Sequence, residues 1–328
     1  MPAPLPTRRP ISSPLPDRAL GLLLGVVADA LLGDPSRWHP VAGLGGAAGA
    51  AERFWWADSR GRGVVHTAVC VGVPVAAVVV AQRVLPRGAA SVLLTATATW
   101  AVLGGRSLAH EASVMAHLLG RGDLADGRTR LSHLAGRDAA DLSLDELARA
   151  SVESVAENTS DAVVAPLLWG AVAGVPGLVG YRAVNTLDAM VGHRSPRYLR
   201  FGWASARLDD VANLLPARVA AGLAVALAPV VGGSPAAALR VWRRDAGQHP
   251  SPNAGPVESA FAGALGVRLG GENTYGGTVE HRGVLGDGEP AGVADLPRAV
   301  RLAVAVDVGA AALAVVVASL LGRRTVRS

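Results

Sequence analysis

Three acidic side chains recur at intervals of one helical turn just before an apolar run. Glu153, Glu157 and Asp161 stand at i, i+4 and i+8, a spacing that places them on one face of a helix. Carboxylates grouped in this way repel one another, and either a divalent cation such as Mg²⁺, which prefers oxygen ligands, or an arginine cluster would relieve the repulsion. A solvated helix face is the alternative. Asn158 and the apolar run that follows favour a metal or substrate site.

Two further polar clusters lie beside the next apolar segments. The stretch "NTLDAMVGHRSPRY" contributes Asn185, Asp188, His193 and Arg194. The stretch "ARLDDVANLLPAR" contributes Arg207, Asp209, Asp210, Asn213 and Arg218. In a helix Asp209 and Asn213 lie one turn apart, whereas Asp210 points elsewhere. The alternative is a helix end with salt bridges to nearby arginines, and a lone histidine is typical of a hydrogen-bonded loop.

Shorter clusters supply the remaining candidates. "GDPSRWHP" places Asp34 and His39 in a turn restricted by two prolines, which could also simply end the preceding apolar helix. Two glycine-rich stretches, "HPSPNAGPVESA" and "GGENTYGG", add polar groups where glycine permits close backbone approach to a ligand. A plain surface turn is the alternative for each. These stretches contain Ser251, Asn253, Glu258, Asn273 and Tyr275.

The composition predicts a membrane protein. Half of the 328 residues are apolar, 17% are charged, and the mean hydropathy is positive. An alanine- and glycine-rich soluble helical protein is the alternative. The chain has no lysine, which excludes a GxxxxGK[ST] phosphate loop and a lysine Schiff base. The positive charge forms no basic stripe with aromatic residues, so we expect no nucleic acid as partner. The single Cys70 is expected to be a small buried hydrophobe.

Uncharged windows long enough to cross a bilayer predict about four to six spans, which need roughly 20 helical residues each. The four main windows are Thr67 to Ala81, Gly88 to Gly105, Val219 to Leu239 and Leu302 to Gly322. The weaker windows are Ala19 to Gly33, which contains Asp29, and Ala162 to Gly180. In the latter window, prolines and glycines predict a bend or a re-entrant segment.

The expected organisation is all-α: a polytopic integral membrane helical bundle with polar loops that form a site at the membrane rim. Residues 1–18 form a proline-rich disordered leader, residues 19–322 a single membrane domain, and residues 323–328 a basic tail. Ser143 and Glu146 predict a capping box at the start of a helix. The connection from Arg240 to Arg301 is rich in glycine and proline and predicts an ordered loop rather than a strand domain.

The ordered set of motifs closely resembles the CobD/CbiB family of cobalamin biosynthesis, the cobinamide-phosphate synthases. The resemblance extends from about Leu20 to the last span, and the combination is specific although each motif alone is weak. The motifs are "GDPSRWHPV", "ENTSDAVVAPLLWG", "AVNTLDAMVGHRSPRY", "FGWASARLDDVANLLPAR", "HPSPNAGPVESAFAGALGVRLGG" and "NTYGG".

The resemblance implies a multi-pass protein of the cell membrane, in contact with lipid. Its reaction joins adenosylcobyric acid to aminopropanol, or to aminopropanol phosphate, through an ATP-dependent amide bond. The corrinoid is a substrate, and Mg²⁺ accompanies the co-substrate ATP. Other proteins of cobalamin biosynthesis are candidate partners. The alternatives are a membrane transporter, with Asp29 and Asp307 along an ion path, and a non-catalytic scaffold for corrinoid enzymes.

The resemblance also suggests roles for the polar clusters. The metal ligands would be Glu153, Glu157 and Asp161, aided by the catalytic pair Asp209 and Asp210. Arg207 and Arg218 would neutralise charge that develops in phosphoryl transfer, and Asp34 or His39 would act as general base. The expected substrate-binding residues are Asn158, Asn185, Asp188, Asn213, Ser251 and Asn253.

Overall fold

The computed structural model describes residues 15–34, 39–132, 134, 139–275 and 278–325. The first fourteen residues of the predicted leader, the middle of the "GDPSRWHP" turn, and residues 326–328 lie outside this part. The first half of the chain forms α1 (Asp17–Leu32), α2 (Pro40–Trp55), α3 (Arg60–Val84), α4 (Ala89–Val102), α5 (Gly105–Gly120), α6 (Leu124–Leu131) and α7 (Leu144–Thr159). A π-helical turn (Ser160–Val164) follows α7 directly.

The second half is also mainly helical. Its helices are α8 (Ala165–Val191), α9 (Trp203–Leu227), α10 (Pro235–Asp245), α11 (Ala254–Leu265) and α12 (Leu296–Thr325). Short 3₁₀ turns are Ala228–Val231, Ala246–Gln248 and Val293–Asp295. Between α11 and α12, β1 (Leu269–Tyr275) pairs antiparallel with β2 (Thr278–Leu285), with an irregular register between Leu269 and Gly271.

Among the described residues, five helical segments are long and apolar enough to cross a membrane, which confirms the all-α polytopic class. They are Arg60–Val84, Ala89–Gly120, Leu144–Val191, Trp203–Val231 and Val293–Arg323. Many large apolar side chains on these helices are exposed, among them Val73, Leu93 and Val316. Such a surface suits lipid rather than water. With 16 residues, α1 reaches about 24 Å and falls short of a full span.

The weaker window from Ala162 to Gly180 forms a helical hairpin, as its glycines predicted. Gly174 has φ 68° and ψ −150°, which ends one helical limb and starts the next. An added Cβ at Gly177 would lie 2.2 Å from the carbonyl oxygen of Trp169, so the two limbs pack closely. The Tyr181 hydroxyl donates to the Asp161 carbonyl at 3.2 Å. The limbs of α8 therefore lie antiparallel and bring Asp161 level with residues some twenty positions later.

Arg18 fixes the turn of this hairpin. Its guanidinium donates to the carbonyls of Ala171 and Val172 at 3.1 and 3.0 Å, which satisfies acceptors at the end of the first limb. Arg18 lies in α1, which begins at Asp17, so the predicted boundary of the leader at residue 18 is wrong by two residues. Asp17, the acidic residue in the first turn of α1, favours this earlier start, because a negative charge stabilises the N-terminus of a helix.

Close packing of α1 against α4 places the C-terminal end of α1 in the bundle. An added Cβ at Gly21 or Gly25 would lie 2.5 Å from the Cβ of Thr95 and 2.3 Å from that of Thr99, respectively. The two glycines are four residues apart, a spacing that lets helix backbones approach closely. The hydroxyls of both threonines donate to carbonyls of their own helix, so no polar group is left unsatisfied at this contact.

Several local predictions need correction. The bounds of the window from Val219 to Leu239 are wrong, because the apolar helical segment runs from Trp203 to Val231 and Ser234 caps a new helix that starts with Pro235. The connection from Arg240 to Arg301 is not a loop, since it contains α11 and the β-hairpin. Cys70 is only partly buried, and Arg323 continues α12. The Ser143 capping box is confirmed.

Candidate functional site

A cavity of about 440 Å³ lies where α7, the π turn, the second limb of α8, the start of α9 and the loop before α11 meet. Nine of the fifteen predicted site residues line it, although they come from four separate stretches of the chain. They are Glu157, Asp161, Asp188, Arg207, Asp209, Asp210, Asn213, Ser251 and Asn253. The fold therefore brings the predicted clusters to one place.

Negative charge dominates the wall of this acidic cavity. Five of the lining side chains are carboxylates, and the arginines of the lining are Arg194 and Arg207. The Arg207 guanidinium lies 3.4 Å from the Asp210 carboxylate, and the arginine is exposed. Both neighbouring aspartates, Asp209 and Asp210, reach the cavity, although they stand on different faces of α9. So many carboxylates around one small volume repel one another, and a bound cation would relieve this repulsion.

Hydrogen bonds from α8 and α9 fix the inner wall. The Tyr181 hydroxyl donates to Asn213 Oδ1 at 2.8 Å, and Asn213 Nδ2 donates to Asp209 Oδ2 at 3.0 Å, as the spacing predicted. Asn185 Nδ2 donates to Asp161 Oδ2 at 3.4 Å. Asp209 Oδ1 is buried and has no hydrogen-bond partner in the described part of the chain. It is an acceptor that a bound cation or donor would satisfy.

The loop before α11 supplies the opposite wall. Asn253 Nδ2 donates to the Asp210 carbonyl at 2.9 Å, which ties the loop to α9. Among the described residues nothing donates to Asn253 Oδ1, which is buried. Ser251 Oγ accepts from the backbone N–H groups of Asn253 and Ala254 at 3.3 and 3.2 Å and so helps to start α11. Asn253 is thus a second buried acceptor at the cavity.

Glu153 does not join Glu157 and Asp161 at the cavity, although all three recur at helical spacing. Glu157 is exposed and lines the cavity with Asp161, which belongs to the π turn. Glu153 is 1% exposed, accepts from the Gly270 backbone N–H at 2.9 Å and lies 4.0 Å from Arg149. The structure therefore separates Glu153 from the predicted metal set: its carboxylate holds the start of β1. Wide turns of this kind often occur at functional sites.

Two other predicted residues lie away from the cavity wall. Asn158 Nδ2 donates to the carbonyl of Ser154 at 2.9 Å and contacts the Leu134 carbonyl, so its amide supports the segment before α7. Arg218 is exposed and donates to the carbonyls of Leu214 and Pro252 at 2.8 and 3.3 Å. Its guanidinium holds the loop before α11 rather than facing the cavity.

Asp34 and His39 form a separate pair near the cavity. His39 Nδ1 accepts from the Val41 N–H at 3.1 Å, so the neutral ring carries its proton on Nε2, which lies 3.6 Å from Asp34 Oδ1. Arg182, one turn before Asn185, is in electrostatic range of both Asp34 and Asp161. Arg182 and Asn185 therefore lie between the Asp34–His39 pair and the acidic cavity, and the pair itself does not line the cavity.

Sequence reasoning missed Tyr181, Arg182 and His249. Tyr181 and Arg182 follow directly after the apolar window that ends at Gly180, four and three positions before Asn185, and this helical spacing could have identified them. His249 lines the cavity, is buried, and its Nε2 lies 3.6 Å from Glu258 Oε1. The Pro250 that follows His249 repeats the His-Pro pair of the Asp34 cluster, which was the available signal. The side chains of Asn273 and Tyr275 lie outside the described part.

The donor set of the cavity fits Mg²⁺ bound together with a phosphate ligand. Among the described residues no group of three or more His, Cys, Asp or Glu side chains is close enough to enclose a metal ion. Mg²⁺ usually takes one or two carboxylates and completes its shell with water and substrate phosphates. The buried, unsatisfied Asp209 Oδ1 and the neighbouring Asp161 suit that mode.

These features define a class: an all-α polytopic membrane protein with a carboxylate-lined site assembled from several helices. The chain belongs to the CobD/CbiB family, whose model, described as CobD/Cbib protein, matches residues 22–303. All of the residues that line the acidic cavity fall within this range.

Relatives of known name agree with the family. The chain is 55% identical over 298 residues to the cobalamin biosynthesis protein CobD of Mycobacterium tuberculosis, covering 91% of this chain and 95% of that protein. It is 45% identical to the CobD protein of Geobacter metallireducens, covering 81% and 86%. The CobD protein of Rhodobacter capsulatus is 44% identical, covering 78% and 82%. No solved structure matches the chain. The chain is therefore a cobalamin biosynthesis protein of this family.

Proposed function

We propose that the chain is an adenosylcobinamide-phosphate synthase, an ATP-dependent carboxylate-amine ligase of the cell membrane. It would join a carboxylate of adenosylcobyric acid to aminopropanol or aminopropanol phosphate. The observation that carries the proposal is the convergence of five carboxylates on one cavity that also presents two buried, unsatisfied acceptors. Both the corrinoid carboxylate and ATP are anionic, so an acidic cavity suits them only when Mg²⁺ is bound between the charges.

Phosphoryl transfer accounts for the acidic wall and the arginines. Asp161 and Asp209, with Glu157, would hold Mg²⁺ with ATP, which when bound neutralises and orients the phosphates. Arg207 and Arg194 would stabilise the charge that develops as the terminal phosphoryl group moves to the corrinoid carboxylate and ADP leaves. Asn253, whose carbonyl oxygen lacks a partner, would accept a hydrogen bond from a substrate amide.

Amide formation requires a proton acceptor. The amine nitrogen attacks the carbonyl carbon of the phosphorylated carboxylate, phosphate leaves with the electron pair of the C–O bond, and the nitrogen loses a proton. The neutral His39 ring presents a proton to Asp34, so the carboxylate is the acceptor of this pair, and His39 stabilises its charge. Asp34 Oδ1 is buried and makes no hydrogen bond within the described part of the chain.

Replacing Asp209 tests the proposal directly. Purified full-length protein in detergent is assayed for ATP- and Mg²⁺-dependent conversion of adenosylcobyric acid, with free or phosphorylated aminopropanol. For Asp209→Asn we expect kcat/KM to fall by at least about 100-fold, because one charge of the acidic wall is lost while the shape is kept. Asp145→Asn, an exposed aspartate in the first turn of α7, is the matched control and should be active.

Two outcomes would contradict the proposal. A wild-type protein that binds the corrinoid but turns nothing over would favour the scaffold. Corrinoid flux across vesicles that contain the protein, without amide formation, would favour a transporter. If Asp209→Asn were as active as wild type, the acidic cavity would have no role in the reaction.

A further inference from the structure

A second cavity, of about 470 Å³, lies on the other side of the π turn. Val163 of the turn lines it, whereas Ser160 and Asp161 line the acidic cavity. The remaining wall comes from the C-terminal half of α1, the start of α5 and the middle of α12. Most of this wall is aliphatic, and the polar side chains of its lining are Asp29, Arg106, His110, Ser113 and Asp307. None of these residues is used in the reaction proposed above.

The two carboxylates of this second cavity lie close together, and each has one oxygen to which no described residue donates. An added Cβ at Gly105 would lie 3.2 Å from Asp29 Oδ2 and 3.2 Å from Asp307 Oδ2, so both would touch the same methyl group. Asp29 is 6% exposed, and its Oδ2 accepts from the Arg106 backbone N–H at 3.2 Å. Oδ1 of Asp29 and Oδ1 of Asp307 are both buried, and nothing in the described part of the chain donates to either.

The surroundings of the pair favour an organic cation over a metal ion. A hard cation such as Mg²⁺ or Ca²⁺ takes about six or more oxygen ligands. Here the two carboxylates stand among Val26, Leu103 and Val304, and this aliphatic wall offers few of the further oxygen ligands or waters that a metal ion would need. A primary alkylammonium ion has three N–H donors for the carboxylates and a hydrocarbon body for the aliphatic wall.

We infer that the Asp29–Asp307 pair binds the ammonium group of a short primary amine. The chemistry proposed above consumes such an amine, and naming it as the ligand rests on that proposal, whereas the ammonium site itself does not. The position also fits: Asp34 follows Asp29 by five residues and is in electrostatic range of it. The amine would therefore be held near Asp34 and His39, the residues proposed to accept its proton. Arg182, in turn, is in electrostatic range of both Asp34 and Asp161.

The mouth of the second cavity has the opposite charge to its base. Arg106, His110 and Ser113 are exposed there, and the Arg106 guanidinium donates only one of its hydrogen bonds, to the Ala30 carbonyl at 2.8 Å, within the described residues. An anionic group at the far end of the ligand would meet these side chains. The probes must therefore include both 1-amino-2-propanol and its phosphate ester, which share the ammonium group.

Calorimetric titration of the full-length protein in detergent tests the site. We expect one molecule of amine to bind per chain, in either form, and 1,2-propanediol, which is neutral and similar in shape, not to bind. Asp29→Asn and Asp307→Asn should each weaken amine binding at least about tenfold, a loss typical of removing one charged hydrogen-bond acceptor. Gly105→Ala keeps all charges but adds a methyl group against both carboxylates, and it should weaken binding as well.

The controls separate this site from the acidic cavity. Asp145→Asn should bind the amine like wild type, and so should Asp209→Asn. Wild-type affinity in Asp29→Asn, Asp307→Asn and Gly105→Ala would overturn the inference, as would equal binding of the diol. If Na⁺ or Mg²⁺ competed with the amine in wild type but not in these variants, the pair would be a metal site and the inference would be overturned. If protons exchanged without amine binding, the pair would be two carboxyl groups that share a proton, and the inference would again be overturned.

Failure of the site and failure of the proposed function give different results. A wild-type protein that binds the amine through Asp29 and Asp307 but forms no amide contradicts the proposed function and supports the site. A protein that forms the amide while both variants keep wild-type affinity contradicts the site alone.

Discussion

Asp245 and Asp209 are both buried or largely enclosed aspartates, but their hydrogen bonds differ. Asp245 accepts from Arg244 Nε and Nη2 at 2.6 and 2.7 Å, from Gln248 at 3.1 Å and from the Gly286 N–H at 2.9 Å. Asp209 accepts from Asn213 on one oxygen, and its other oxygen has no partner among the described residues. The first carboxylate is saturated by the protein, and the second has acceptor capacity left for a ligand.

The difference identifies which acids hold the fold and which serve a site. The hydrogen bonds and charge of Arg244 hold the pKa of the Asp245 carboxyl below its ordinary value, despite its burial. Glu153, which accepts from the Gly270 N–H, belongs with Asp245 in this respect. Acids that line the acidic cavity share instead a wall with a strong excess of negative charge. Three predictions follow from this contrast.

Removing the saturated carboxylate should have the largest effect on stability. Asp245→Ala leaves the Gly286 N–H without its partner and Arg244 without its bidentate acceptor, so we expect a loss of about 3 kcal/mol in the free energy of unfolding. Denaturant unfolding in detergent micelles measures it. Asp287→Ala is the matched control, since Asp287 bonds the same arginine but is 55% exposed, and should cost less than about 1 kcal/mol. Equal losses of unfolding free energy in the two variants would show that the burial of Asp245 contributes nothing to stability.

Replacing Glu157 or Glu153, two of the three glutamates of α7, should affect Mg²⁺ dependence differently. Glu157→Gln removes a charge from the acidic cavity, and we expect the Mg²⁺ concentration for half-maximal activity to rise about tenfold. Glu153→Gln should leave that concentration within about twofold of wild type and lower stability by about 1 kcal/mol, because its carboxylate bonds only protein groups. If Glu153→Gln raised the half-maximal Mg²⁺ concentration by more than twofold, Glu153 would belong with Glu157 and Asp161 among the metal ligands, as the spacing predicted.

Acid should remove the contribution of Asp245 gradually, and this is the smallest expected effect. Because folding lowers the pKa of Asp245, the unfolded chain binds more protons, and the stabilisation is complete above the ordinary pKa and lost as the pH falls through the folded value. Unfolding midpoints of wild type and Asp245→Asn, measured from about pH 6 to about pH 3, should converge as the pH falls. A constant difference would mean that the charge of Asp245 is not what stabilises the fold.

Much of the site could be predicted because acids and amides at helical spacing have few structural uses beside an apolar segment. Asp209 with Asn213, and Glu157 with Asp161, were identified in this way. Their convergence could not be predicted, since it depends on the reversal of α8 at Gly174. The proline and glycines there indicated a bend, but only the packing of Gly177 on Trp169 sets the two limbs side by side.

The errors have identifiable causes. Glu153 was grouped with Glu157 because helical spacing places both on one face of α7, but the Gly270 N–H at the start of β1, distant in sequence, donates to the Glu153 carboxylate. Hydropathy placed one span across "GGSP", up to Leu239, although one helix ends and another begins at this sequence. Gly232 adopts the left-handed conformation that ends the first, and Ser234 caps the second, which has Pro235 in its first turn. Hydropathy does not register such signals.

The hairpin of α8 also sets the order in which the acidic wall forms during synthesis. A nascent chain that ends at Val191 already holds Glu157, Asp161 and Asp188 on two adjoining limbs. Asp209 and Asp210 join them only after the ribosome has translated α9, and the loop that completes the enclosure follows some forty residues later still. The full set of five carboxylates is therefore present only after α1 to α8 and the start of α9 have been synthesised.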